Sequence, residues 1–262
     1  MSRVAGLGRQ GDWSRWPGVI ERETTWRDVW NMDQSKFTFL IRAVTDLLPS
    51  PSNLRLWGIK NECKCKLCGS SCCNLRHILS ACPESLSGGR YRWRHDHVLK
   101  EIGNWLHKVI QSVKNPNPAK KGILNHASDW SLLLDVGRKL QFPREVVATT
   151  LRPDCIIVSR TARIIVLVEL TVPWEDRLEI SHELKSEKYQ ELVSDIKSNG
   201  WNCFCFAVEV GARGFPACSL RYMFKEIGMA APMIKKACCS AGKAVEDGSR
   251  WIWLKRKESW RV

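Results

Sequence analysis

No stretch of this 262-residue chain approaches the roughly 18 consecutive apolar residues that a membrane-spanning helix needs. A membrane partner is therefore not expected. The opening residues, MSRVAGLGRQGDW, hold no apolar signal core, which argues against secretion. Acidic residues are scarce: 27 Asp+Glu face 41 Lys+Arg, leaving a net charge of +14. A field of that sign favours polyanions, nucleic acid first among them, and speeds their encounter. Cysteine, by contrast, is abundant. Twelve cysteines without a secretory context point to metal binding or reduced thiols rather than to a disulfide framework. The chain is 44% hydrophobic and 26% charged, enough to build a core, so disorder is excluded as its general state. Its length suits one moderate core and a smaller module.

The stretch around which the rest is organised is Leu151 to Trp174, LRPDCIIVSRTARIIVLVELTVPW. Two short Val/Ile-rich runs, Cys155–Val158 and Ile164–Val172, flank a polar turn at Ser159–Ala162, the pattern of two buried strands joined as a hairpin. Asp154 opens the first strand, and Glu169 sits near the end of the second. A carboxylate inside a run such as IIVLVEL is costly to bury unless it is paired. Two of them at neighbouring strand ends can share a divalent cation, since Mg²⁺ is held by a few carboxylate oxygens plus water and substrate phosphate. The plainer reading makes Asp154 a turn residue and Glu169 half of an internal salt bridge.

A second signal lies upstream. Cys65, Cys68, His77 and Cys82 are spaced C-x2-C-x8-H-x4-C, a donor set suited to tetrahedral Zn²⁺ in a structural site with no open position. Cys63 is an alternative to Cys65, and a cysteine-rich loop of reduced thiols is the reading without metal. Gly88-Gly89 then precede Arg90, Arg92 and Arg94, interleaved with Tyr91 and Trp93. Guanidinium groups bind phosphate and aromatics stack on unpaired bases, so the segment is a candidate nucleic-acid contact, or else a solvated basic helix start.

In chain order, residues 1–60 read as an irregular and helical segment. Trp26, Val29, Trp30 and Met32, and then Phe37, Leu40, Ile41, Val44, Leu47 and Leu48, are expected as core. Residues 61–114 form the zinc module with its basic segment and an amphipathic helix carrying Val98, Leu99, Ile102, Leu106, Val109 and Ile110. Residues 115–127 read as a linker and a domain boundary. Residues 128–231 hold the strands: one at Trp130–Val136, the hairpin, and one at Trp201–Val210. A single helix over Glu175–Ser198 is expected between the last two, with Ile180, Leu184, Lys188, Leu192 and Ile196 on one inward row. Asp135 is a possible extra acid, and Glu209 a partner for Arg213, for a lysine or for an internal ion pair. Residues 232–262 read as a basic helix and tail, ending in the weak nuclear-targeting run Leu254–Lys257.

Pro153-Asp154, fourteen residues, then Glu169-Leu170-Thr171 resembles the PD-(D/E)xK core of restriction-like endonucleases, with Thr171 where that family has lysine. The wider order is LPSPSNLRLWG, the CCHC spacing, GRYRWRHDHVL, LRPD, ELTVPWE, KYQEL and EVGARGF. It resembles the C-terminal region of non-LTR retrotransposon polyproteins carrying such a nuclease, from about residue 26 to 260. The resemblance implies an α/β fold, a restriction-endonuclease-like mixed sheet flanked by helices and preceded by a helical segment with a zinc knuckle. It implies Mg²⁺-dependent nicking of target DNA that primes reverse transcription in the nucleus, with structural Zn²⁺ and with DNA, possibly also RNA, as partner. Asp154 and Glu169 become the Mg²⁺ carboxylates, and Lys188, or Lys185 or Arg152, stands in for the missing lysine. Cys65, Cys68, His77 and Cys82 become the zinc ligands, and Arg90, Arg92, Arg94 and Arg152 the nucleic-acid contacts. No polymerase fits upstream of residue 61, so a truncated copy is expected. A catalytically inert nucleic-acid-binding protein is the rival reading.

Overall fold

The computed structural model describes residues 6–21, 24–113 and 116–259. Three short helices come first: α1 (Trp26–Trp30), α2 (Gln34–Val44) and α3 (Pro51–Leu56). Their starts follow from capping. Thr25 and Asp28 form a reciprocal capping box on α1, Asp33 caps α2, and Ser50 caps α3 with Pro51 at the first helical position. A π-helical turn (His77–Ala81) leads into α4 (Pro83–Ser87) and the long α5 (Arg90–Ser112), which starts at Gly89 in the left-handed region. Then come β1 (Ser131–Leu134), β2 (Cys155–Ser159), β3 (Ile164–Thr171), α6 (Leu178–Lys188), α7 (Gln190–Ser198), β4 (Asn202–Glu209), α8 (Cys218–Ile227) and α9 (Ala231–Leu254).

The strands form one mixed sheet in the order β1-β2-β3-β4. β1 and β3 run antiparallel to β2, with Ile157 opposite Val166 in the expected hairpin, while β4 is parallel to β3. Asp129 clamps the hairpin turn, its carboxylate accepting from the Arg160 and Thr161 amides at 2.9 and 3.0 Å. Side-chain alternation sorts the strands onto two faces. Cys155, Ile157, Val166, Val168 and Leu170 pack against Val98, Leu99, Ile102 and Leu106 of α5 and against α8 and α9. Ile156, Val158, Ile165 and Leu167 pack against Tyr189, Leu192 and Ile196. The sheet is thus covered by helices on both sides, as an α/β fold requires.

Packing adds to the expectations from sequence and corrects some of them. Helix α5, read as part of the zinc module ending at residue 114, packs into the sheet's own core. The C-terminal helix forms as expected and is also part of the core: Ile234, Ala237, Ala241, Val245, Ile252 and Trp253 of α9 are buried. Trp26 and Trp30 are 78% and 82% exposed, and Phe37, Ile41 and Leu47 also face outward. The sequence of α2 carries two apolar stripes, and the fold buries the one through Phe39 and Ala43. The helix expected over 175–198 breaks at Tyr189, which leaves helical geometry at φ −103°, ψ 1°. The break rotates the two halves relative to each other, so Leu192 and Ile196 are buried while Ile180 and Leu184 are exposed.

Candidate metal centre and carboxylate site

The ligand atoms of Cys65, Cys68, His77 and Cys82 all lie within 4.8 Å of one another, and the Cys68 sulfur is 3.3 Å from His77 Nε2. A Zn²⁺ tetrahedron with arms of about 2.3 Å has edges of about 3.8 Å, so this donor set fits a metal ion such as zinc. Local structure makes the cluster. The Cys65–Cys68 turn closes through Gly69 N–H to the Cys65 carbonyl at 3.0 Å, with Gly69 at φ 72°. His77 and Cys82 are five residues apart, which an α-helix would splay; the π turn brings such positions closer to one face. Tyr91 fixes this turn, its hydroxyl accepting from the Cys82 amide at 3.0 Å. Burial holds His77 below its usual pKa, favouring the neutral imidazole that ligates metal. Cys63 is not part of the cluster: its thiol donates to the Ser71 carbonyl at 2.6 Å.

The hairpin register sets the backbones of Asp154 and Glu169 opposite each other, while their carboxylates have separate partners. Cys155 pairs with Val168, so the residues one step outward, Asp154 and Glu169, come side by side at the strand ends. Both are more than nine-tenths buried. Asp154 Oδ2 accepts from the Leu170 amide at 2.8 Å and lies 3.1 Å from His95 Nε2. Glu169 Oε1 accepts from Lys185 at 2.5 Å and from Lys188 at 3.3 Å, and Oε2 lies 2.7 Å from the Tyr189 hydroxyl. The break at Tyr189 aims both lysines and the phenol at one carboxylate. Burial and the Glu169 and Asp154 charges push the Tyr189 hydroxyl far up, so it stays a neutral donor. Thr171, at the motif's lysine position, has a buried hydroxyl with no hydrogen-bond partner among the described residues.

Around Asp154 lie His95, which the sequence reading left without a role, and Asp135, which it read as a possible extra acid. His95 touches Asp96 Oδ1, Asp154 and the Leu170 carbonyl, each at 3.1 Å. Burial alone would lower its pKa, but hydrogen bonds to Asp154 and Asp96 outweigh it and bring it to about 9. Asp135 closes β1 beside them; its amide donates to the Asp154 carbonyl at 2.8 Å. The available signal was the string Arg92–His97, with Arg92 and Asp96 four positions apart along what became α5.

The arginines do not form the expected surface. Arg90 is buried and donates to the carbonyls of Lys255 and Glu258, closing the end of α9. Arg94 is buried and donates to Ser249 Oγ at 2.9 Å and the Val172 carbonyl at 3.2 Å. Only Arg92 remains half-exposed, and it is occupied by Asp96 at 2.8 Å and Asp135 at 3.3 Å. Backbone carbonyls, the Ser249 hydroxyl and the Asp96 and Asp135 carboxylates hold these residues as internal struts. Arg152 is exposed and donates to the Arg138 carbonyl. Glu209 pairs with His182, while Arg213 pairs with Glu175 at 2.8 Å.

Among the described residues, no helix is long and apolar enough to cross a membrane. No protein-family model and no curated protein matches the chain.

Proposed function

We propose that this chain is a metal-dependent DNA endonuclease of the restriction-like kind, acting as the nicking module of a retrotransposon-type integration machine. The observation that carries the reading is the strand register that sets Asp154 opposite Glu169, with Lys185 and Lys188 on the second carboxylate. The element order supports it: a helix, three antiparallel strands, a broken helix and a parallel fourth strand.

Asp154 and Glu169 would hold Mg²⁺, which would displace the lysine contact on Glu169 and the His95 contact on Asp154. The bound ion supplies polarisation of the phosphate and a water of lowered pKa. The rest falls to the chain. Lys185 and Lys188 replace the motif lysine that Thr171 lacks, and place positive charge where the phosphate gains negative charge. Tyr189 fixes one oxygen of Glu169, and the Leu170 amide fixes one oxygen of Asp154, so neither carboxylate can rotate away. DNA is held by a surface other than Arg90–Arg94. Lys60, Lys64, Lys66 and Lys257 are exposed, and none has a carboxylate partner among the described residues. Repulsion from Arg256 first, then slight burial, then repulsion from Lys66 and Lys60 pull Lys257 below its usual pKa, so Lys257, Lys66 and Lys60 lie within reach of one another's charge.

One observation favours the rival reading, an inert nucleic-acid-binding protein: Asp154 and Glu169 are already satisfied by His95, the Leu170 amide, Lys185 and Tyr189. Supercoiled plasmid separates the two. The nuclease nicks it with Mg²⁺ or Mn²⁺ and not with Ca²⁺, which is larger and takes a different coordination number. Binding without metal-dependent nicking assigns the chain to the rival class.

A further inference from the structure

The sheet ends at β4, and β4 ends in a groove. A cavity of about 650 Å³ lies along its outer edge, between α6 on one side and α8 on the other. The backbone in the floor of this groove is open. Asn202 N–H donates to the Arg163 carbonyl at 2.8 Å and Val210 N–H to the Thr171 carbonyl at 3.1 Å. Even-numbered residues of β4 therefore bond to β3, and odd-numbered residues turn their N–H and C=O outward. At Glu209 that outward carbonyl is met by the Ala217 amide at 2.9 Å. At Cys205 and Ala207, further down the groove, no strand among the described residues follows in the sheet order. An unpaired edge of this kind is a template for an added strand.

The two walls differ in chemistry. The α6 wall carries Glu179 and Glu183, one helical turn apart and exposed, above the buried Glu209. Among the described residues neither Glu179 nor Glu183 forms an ion pair, and no Lys or Arg lines the groove although the chain has 41 of them. The α8 wall carries Tyr222, 56% exposed, packed edge-on against Phe206 at 6.2 Å. A strand lying on the β4 edge sends alternate side chains to these two walls.

We propose that this groove binds an extended segment of a partner polypeptide by strand addition to β4, with Lys or Arg at alternate positions facing Glu179 and Glu183 and apolar residues between them facing Tyr222. Main-chain hydrogen bonds to Cys205 and Ala207 supply affinity, and the two walls read the alternation. The site is separate from the carboxylates of β2 and β3 and does not depend on nuclease activity.

The test is selection of a randomised heptapeptide phage library on the full-length protein, with counter-selection on a Glu179→Lys/Glu183→Lys variant. The expected result is enrichment of sequences alternating Lys or Arg with apolar residues. A synthetic copy should lose about tenfold or more in affinity when its alternate amides are N-methylated, and as much on Ala207→Pro protein. That substitution removes an outward N–H and leaves the β3 bonds intact. Thermal melting confirms that each variant is folded. No enrichment over the counter-selected variant overturns the proposal. So does enrichment without alternation, or binding indifferent to both N-methylation and Ala207→Pro.

Discussion

Lys185 sits closer to Glu169 than Lys188 does, 2.5 against 3.3 Å, and is the less exposed of the two. Single-turnover nicking should therefore fall by about 10²–10³ in Lys185→Met, the range seen when one charge-stabilising group is lost from a site, and by less in Lys188→Met. The reverse order would move the role to Lys188. His95 makes a second prediction at this scale. Its folded pKa of about 9 lies above the ordinary 6.5, so the protonated form is what the fold stabilises. That contribution is complete below pH 6.5 and is lost as pH rises through about 9. Melting curves without added Mg²⁺ should show a His95→Asn variant trailing the wild type most at pH 6, with the gap narrowing by pH 10. A gap that does not change with pH would show that His95 is not charged in the fold. Asp154 and Glu169 were legible in the sequence because a carboxylate in an apolar run demands a reason. Asp135 was legible as a possible extra acid after a strand; His95 was not, since nothing local says which helix face will meet the strand ends.

At the scale of elements, the metal cluster is a joint between segments. Cys65, Cys82, Leu75 and Leu79 share one core with Phe39 and Ala43 of α2 and with Ile252 and Trp253 of α9. Cys68→Ser should abolish zinc in native mass spectrometry, lower the melting temperature and make the chain around α2 sensitive to protease, because metal binding and folding are coupled. A zinc-free variant that melts like the wild type would sever that link. The crossing of α9 is equally tight. A Cβ on Gly242 would stand 2.5 Å from the Gly214 carbonyl, against rigid backbone. Gly242→Ala should destabilise by about 1–3 kcal/mol in denaturant melts, the range for overpacking a tight contact. The strands, the hairpin and α5, α8 and α9 were readable from periodicity. The break at Tyr189 was not, because a buried tyrosine between two good helical stretches carries no local stop signal. Nor was the choice between the two apolar stripes of α2, which only tertiary packing decides.

At the scale of the whole molecule, the charge of +14 divides into two kinds. Arg90 and Arg94 are struts, and burial brings Arg94 down to about 10. Lys60, Lys64, Lys66 and Lys257 remain at the surface. Replacing these four lysines with alanine should flatten the salt dependence of DNA binding by roughly one unit of slope per lost phosphate contact, while Arg94→Ala should cost stability. Composition announced the total charge but could not sort it, because sorting requires knowing that α5 and α9 cross.

The measurement that bears most directly on the account is a paired one on plasmid DNA: the single-turnover nicking rate and the DNA affinity, for wild type, Asp154→Asn and Glu169→Gln, each checked for zinc and for folding. The account predicts Mg²⁺-dependent nicking by the wild type, loss of it in both variants, and nearly unchanged affinity in all three, because chemistry resides in the carboxylates and affinity in the basic surface. Wild-type nicking no faster than that of Asp154→Asn, at equal affinity, would contradict it.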